Sequence, residues 1–177
     1  AKDKDNLYMA TTFQAHFAED GPVTIQYQVA AADGAMGSVS KTSETLKPVS
    51  DNAAGSVAQP VTGYKLVSWT NEANQVVSTS ETFVPARDAD GLNFRQTYTA
   101  HFAPLDNLSY EVHYLYDGVE DHARADGKDG NAVFGTSIDF SRTETEFNGQ
   151  NYIFEKTEGP TTVTEVSANN KLYVHYT

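Results

Sequence analysis

Short stretches of strict alternation between apolar and polar residues recur along the chain, and each predicts a half-buried strand. In Val23-Thr-Ile-Gln-Tyr-Gln-Val29 the residues Val23, Ile25, Tyr27 and Val29 share one face. Gln96–Phe102 turns Tyr98, Ala100 and Phe102 one way, and Thr99 and His101 the other. Tyr110–Tyr116 sets Tyr110, Val112, Tyr114 and Tyr116 together. Gly63–Trp69 is apolar on both faces, with Tyr64, Leu66 and Ser68 opposite Lys65, Val67 and Trp69. That pattern belongs to an interior strand and places Trp69 in a core. Shorter strand candidates lie at Ser38–Ser40, Thr45–Leu46, Val76–Ser78, Thr136–Phe140, Tyr152–Lys156 and Lys171–Tyr176. The small-residue segment Ala53–Ala58 allows a helical turn. The expected class is mostly β, α+β at most.

An internal repeat organises these elements. AKDKDNLYMATTFQAHFA (Ala1–Ala18) and ARDADGLNFRQTYTAHFA (Ala86–Ala103) align without gaps at a shift of 85 residues, and 9 of 18 positions are identical. Among the identities are Asp3/Asp88, Asp5/Asp90, Leu7/Leu92 and the run Ala-His-Phe-Ala. The first 19 residues therefore read as the last strand of a preceding repeat, or its linker. The turn-forming Glu19-Asp-Gly-Pro22 begins a full repeat over residues 20–104, and the pattern changes at Pro104, so that residues 105–177 form a second module.

Charge and composition narrow the function. The chain has 177 residues, 24 Asp+Glu against 12 Lys+Arg, and a net charge of −12. The second module is the more acidic, at −8 against −4 for the rest. Nucleic-acid binding needs a basic surface to release phosphate counterions, so no nucleic-acid partner is expected. Nor is membrane insertion expected, because no apolar run approaches the length of a span. With no cysteine, disulfides, thiolate metal sites and thiol nucleophiles are all excluded. Without a start Met, a signal-type n-region or a sorting tail, the chain reads as a piece of something longer.

No nucleophile elbow, zinc-protease helix or phosphate loop occurs, and an enzyme is not expected. The histidines are His16, His101, His113, His122 and His175. Four of them fall in predicted strands opposite the aromatic face, which is the ordinary place for a solvent-facing imidazole. If the first and last strands of the second module pair, Glu111, His113, Tyr173 and His175 share one sheet face, a patch suited to a sugar or a peptide. The acidic loop carboxylates Asp117, Glu120, Asp121, Asp126 and Asp129 invite a calcium reading without matching the EF-hand spacing, and a solvated loop is the plain alternative. No cofactor other than such a calcium ion is expected.

The motifs Gly37-Ser-Val-Ser, Gly55-Ser-Val-Ala-x-Pro60, Gly63-Tyr-Lys-Leu-Val-Ser-Trp69, Val76–Pro85 and Thr97–Phe102 resemble, in succession, the internalin-B-type B-repeat of bacterial surface proteins. Tyr110–Gly118, Phe134–Phe140, Asn151–Pro160 and Lys171–Thr177 resemble a mucin-binding-protein (MucBP) domain. The resemblance implies two tandem β-grasp modules in an elongated arrangement, with first and last strands parallel. It further implies a cell-surface adhesin of a Gram-positive bacterium, wall-anchored through other parts of the parent. Such a repeat is a monomer within its array and binds host mucin, another glycoprotein or immunoglobulin. The alternative is a stalk that spaces a distal adhesive head from the wall.

Overall fold

A computed structural model describes residues 2–8, 12–124 and 130–177. The architecture is mostly β. Among the described residues no α-helix occurs, only 3-10 turns at Ala31–Asp33 and Ser167–Asn169.

In the first module the strands are β1 (Val23–Val29), β2 (Gly37–Val39), β3 (Ser43–Leu46), β4 (Ser56–Pro60), β5 (Tyr64–Thr70), β6 (Val76–Ser78), β7 (Thr82–Phe83) and β8 (Gln96–Pro104). They form a five-stranded sheet in the order β3-β1-β8-β5-β6 and a three-stranded sheet in the order β2-β4-β7. The first and last strands, β1 and β8, lie side by side in parallel, with Tyr27 beside Tyr98. Alternation does what it should: Ile25, Tyr27, Tyr98, Ala100 and Phe102 point inward while Gln26 and Gln28 stay outside. Trp69 and Phe83 close this core from β5 and β7.

Two local expectations differ. Residues 53–58 do not form a helical turn, because Ser56–Pro60 is held as a strand between β2 and β7. The register of β5 shifts against β8 between Leu66 and Ser68, so Ser68, Trp69 and Thr70 are all buried and strict parity fails there.

The second module contains β9 (Leu108–Tyr116), β10 (Val119–Glu120), β11 (Gly130–Ala132), β12 (Thr145–Phe147), β13 (Gln150–Tyr152), β14 (Phe154–Glu158) and β15 (Lys171–Tyr176). Its sheet runs β10-β9-β15-β14, with β11 also on β9 and β12-β13 as a separate hairpin. Here too the first and last strands, β9 and β15, pair in parallel. Val112, Tyr114, Tyr116, Leu172, Val174 and Tyr176 face a second core that includes Val163 and Tyr152. The expected strand at Thr136–Phe140 reduces to a single bridge between Ser137 and Thr162.

The chain passes from β8 into β9 almost without a linker, and the passage is fastened. The Leu105 amide donates to the Gly63 carbonyl and the Phe134 amide to the Leu105 carbonyl, both at 2.8 Å. The Tyr64 and Phe134 rings meet edge to face at 5.6 Å, and Lys65 reaches Asp106 at 2.8 Å. Gly63 has φ +85°, and a Cβ there would lie 2.4 Å from the Phe134 ring, so glycine is what lets the second module close on this turn.

Candidate functional site

Parallel pairing of β9 with β15 sets Glu111 beside Lys171, His113 beside Tyr173 and Leu115 beside His175. Their neighbours Val112, Tyr114, Leu172 and Val174 go to the core. Parity therefore places Glu111, His113, Tyr173 and His175 on the opposite face together, as the sequence pattern anticipated. The His113 and Tyr173 rings stack, with centroids 4.9 Å apart and planes 19° from parallel.

His113 is the hub of this face. Its Nδ1 lies 2.6 Å from Glu120 Oε1, and its Nε2 lies 3.0 Å from Glu111 Oε2. Lys171 Nζ lies 2.9 Å from the same Glu111 oxygen, and His122 approaches Glu120 at 3.7 Å. Two carboxylates at two ring nitrogens suit an imidazolium that donates to both. Burial alone would lower the His113 pKa, but the hydrogen bonds and charges of Glu120 and Glu111 together raise it. Glu111 is held below the ordinary carboxylate value by Lys171 first and His113 second. Glu120 is held down chiefly by His113. His175 is less engaged: its Nε2 is buried without a hydrogen bond, and Glu158 stands 3.7 Å away.

The shifts fix a pH window. The raised His113 pKa contributes stability that is complete below its ordinary 6.5 and is lost as pH rises through the raised value. The depressed carboxylates contribute stability that is present above their ordinary 4.5 and is lost as pH falls through the depressed values. The cluster should therefore stabilise the second module most between these two ordinary values. Because the carboxylates are partly exposed and screened by solvent, the effect should stay under about 1 kcal/mol. His113→Gln should flatten the dependence of Tm on pH from that window toward pH 8, as read by circular dichroism, and an unchanged profile would count against the cluster.

Lys171 and Glu120 complete the face, and the sequence reading did not assign them to it. Lys171 was legible by parity, two residues before Tyr173 on one strand. By sequence alone Glu120 groups with the loop carboxylates. Asp117 and Gly118 both take positive φ, 46° and 83°, so this Asp-Gly pair makes a tight hairpin. The hairpin returns Val119 and Glu120 along β9, with Glu120 opposite Leu115, and turns that carboxylate to His113.

Of the remaining calcium candidates, the described Asp117 and Asp121 are not brought together with other carboxylates in a cation site. Asp117 is exposed, and Asp121 Oδ1 accepts from the Ala123 amide at 3.0 Å. Asp126 and Asp129 lie outside the described residues. Among the described residues no group of three His, Asp or Glu side chains is placed to hold a metal ion. A second polar surface occurs on the outer face of the first module. There Gln26, Gln28, Thr97 and Thr99 with Asn71 and Glu72 line an open hollow of about 370 Å³.

Comparison with known proteins finds a likeness for the first module. The family model of the divergent InlB B-repeat domain matches residues 27–105, the span from the middle of β1 to the first residue after β8. The match supports the B-repeat resemblance of that module and suggests a bacterial surface repeat, exposed at the cell surface. No curated protein and no solved structure matches the chain. Among the described residues no helix is long and apolar enough to cross a membrane.

Proposed function

We propose that the chain is a non-catalytic repeat of a bacterial surface adhesin that binds mucin glycans or a related glycoprotein through the outer face of β9 and β15. The observation that carries this reading is the His113–Tyr173 stack on a face rimmed by Glu111, Lys171 and Glu120. Such a face offers an aromatic surface for the apolar side of a sugar, with charged hydrogen-bonding groups around it for the hydroxyls. The MucBP resemblance of the second module favours mucin as the glycoprotein, with immunoglobulin as a further candidate. Affinity at one face is modest, and repetition along an array raises it by avidity.

The spacer reading has an observation of its own, the fastened junction at Leu105, Gly63 and Phe134. A stalk requires such joints to transmit reach, and the acidity of the chain resists collapse of like-charged repeats on one another.

Solid-phase binding to purified mucin, before and after enzymatic removal of its glycans, separates the two. The adhesin reading expects saturable binding that is lost on deglycosylation and weakened about tenfold by Tyr173→Ala, the equivalent of ~1.4 kcal/mol for one aromatic contact. His175→Ala should weaken it less. Absence of binding to intact mucin would leave the spacer.

A further inference from the structure

We infer that residues 12–18 are an inner β-strand of another module, completing the sheet of a preceding repeat of the same kind as residues 20–104. The argument starts from the turn before the strand. In residues 87–93, the Asp88 amide donates to the Leu92 carbonyl at 2.9 Å and the Gly91 amide to the Asp88 carbonyl at 3.0 Å. Asp88 Oδ1 there accepts from the Asp90 and Leu92 amides at 3.0 and 2.8 Å. Residues 2–8 repeat every one of these bonds. The Asp3 amide donates to the Leu7 carbonyl at 2.8 Å and the Asn6 amide to the Asp3 carbonyl at 3.1 Å. Asp3 Oδ1 accepts from the Asp5 and Leu7 amides, both at 2.9 Å. Asn6 takes the positive φ of Gly91, 65° against 77°. The turn is thus built twice, once inside a module and once with none of the module's strands around it.

After the turn the two copies part. Tyr98, Ala100 and Phe102 are 5 %, 0 % and 4 % exposed, whereas their counterparts Phe13 and Phe17 are 87 % and 95 % exposed. Two phenylalanines four residues apart and both facing water are costly in the absence of a partner, and on a strand they share one apolar face with Ala15 between them. The register of β8 states what that partner must provide. Tyr98 lies beside Tyr27 on a parallel strand. Ala100 lies opposite Trp69 and Phe102 opposite Leu66 on an antiparallel one. Phe13, Ala15 and Phe17 would take these three places, with the small Ala15 admitting the tryptophan. The histidine common to both copies follows as well. His101 Nε2 lies 3.0 Å from Thr70 Oγ1 and its Nδ1 3.7 Å from Asp33, partners that a preceding repeat would offer to His16. Beyond the strand, Glu19 accepts from the Val49 and Ser50 amides and the Ser50 hydroxyl at 2.5, 2.9 and 2.8 Å. That clamp ties the end of the strand to the module that follows.

The test extends the whole 177-residue chain by a copy of its own residues 20–85 placed directly before Ala1, which restores the spacing of the repeat. Hydrogen exchange is then compared across residues 12–18 and residues 96–103, the latter serving as the control in the same molecule. In the unextended chain, residues 12–18 should exchange freely, and Phe17→Asp should leave its Tm unchanged. In the extended chain, residues 12–18 should exchange roughly 100-fold more slowly, and Phe17→Asp should abolish that protection while sparing residues 96–103. Equal, fast exchange of residues 12–18 in both chains would overturn the inference. So would protection in the unextended chain that grows with protein concentration, which would assign the strand to exchange between copies. Neither readout depends on mucin, so failure here is distinct from failure of the adhesin reading.

Discussion

Replacing Trp69 with alanine should cost the first module about 3–5 kcal/mol, the range for emptying a large aromatic site in a packed core. Trp69 is fully buried. Its ring stacks on Phe83 at 5.4 Å and meets Tyr27 edge to face at 6.2 Å. The indole N–H donates to the Ser80 carbonyl at 3.1 Å, so truncation also leaves an acceptor without its donor. The site cannot collapse easily, since Ala100 is the residue facing it from β8 and offers only a methyl group to fill the space. A domain of this size holds a stability of only ~5–10 kcal/mol, so the loss should bring the module near its limit at 37 °C. Trp69 is the only tryptophan, so the measurement is urea unfolding followed by far-UV circular dichroism. Trp69→Phe, which keeps most of the volume, should cost less than half as much. A fall below about 1 kcal/mol for the alanine variant would mean that the two sheets do not pack around this ring.

The residues that made the fold legible are those whose partners do not have to be known. Ile25 and Tyr27, Tyr98 to Phe102, and Val112 to Tyr116 are buried as their alternation requires. Parity alone is sufficient wherever one face of a strand meets a core. The same parity placed Glu111, His113, Tyr173 and His175 on one face, once β9 and β15 were taken as neighbours. Elements that depend on distant partners were not legible. Ser56–Pro60 is a strand because β2 and β7 flank it, and Ala53–Ala58 on its own is as compatible with a turn of helix. Ser68 is buried because β5 shifts register against β8, and nothing local in Gly63–Trp69 announces the irregularity. Glu120 joined the site through a hairpin whose Asp-Gly turn was visible, but its acidic surroundings suggested a cation instead. Asn170 carried no signal, since an asparagine among polar residues near a chain's last strand has the composition of a loop.

Asn170→Ala should cost the second module about 2–4 kcal/mol, and the reason is hydrogen bonding and not volume. The residue is fully buried at the head of β15. Its Oδ1 accepts from the Thr164 amide and the Thr164 hydroxyl, both at 2.7 Å. Its Nδ2 donates to the Ser109 and Thr164 carbonyls at 3.2 and 3.0 Å. One amide thereby holds the segment before β15 to the start of β9, and its own carbonyl accepts from the Glu111 amide at 2.9 Å. Alanine removes the asparagine from two donors and two acceptors around a fully buried position, with only the Thr164 hydroxyl keeping a second acceptor, the Val166 carbonyl at 3.4 Å, and each group left unpaired costs about 1 kcal/mol or more. Asn170→Asp separates the contributions. Its carboxylate can still accept from Thr164 but cannot donate, and it brings a charge against two carbonyl oxygens. Burial raises the pKa of such an acid, so the aspartate variant should be weakest at neutral pH and should recover part of its deficit as the pH falls and the acid protonates. Recovery at low pH in Asn170→Asp, with none in Asn170→Ala, would identify donation to Ser109 and Thr164 as what the asparagine supplies. Parallel pH profiles for the two variants would reject that role.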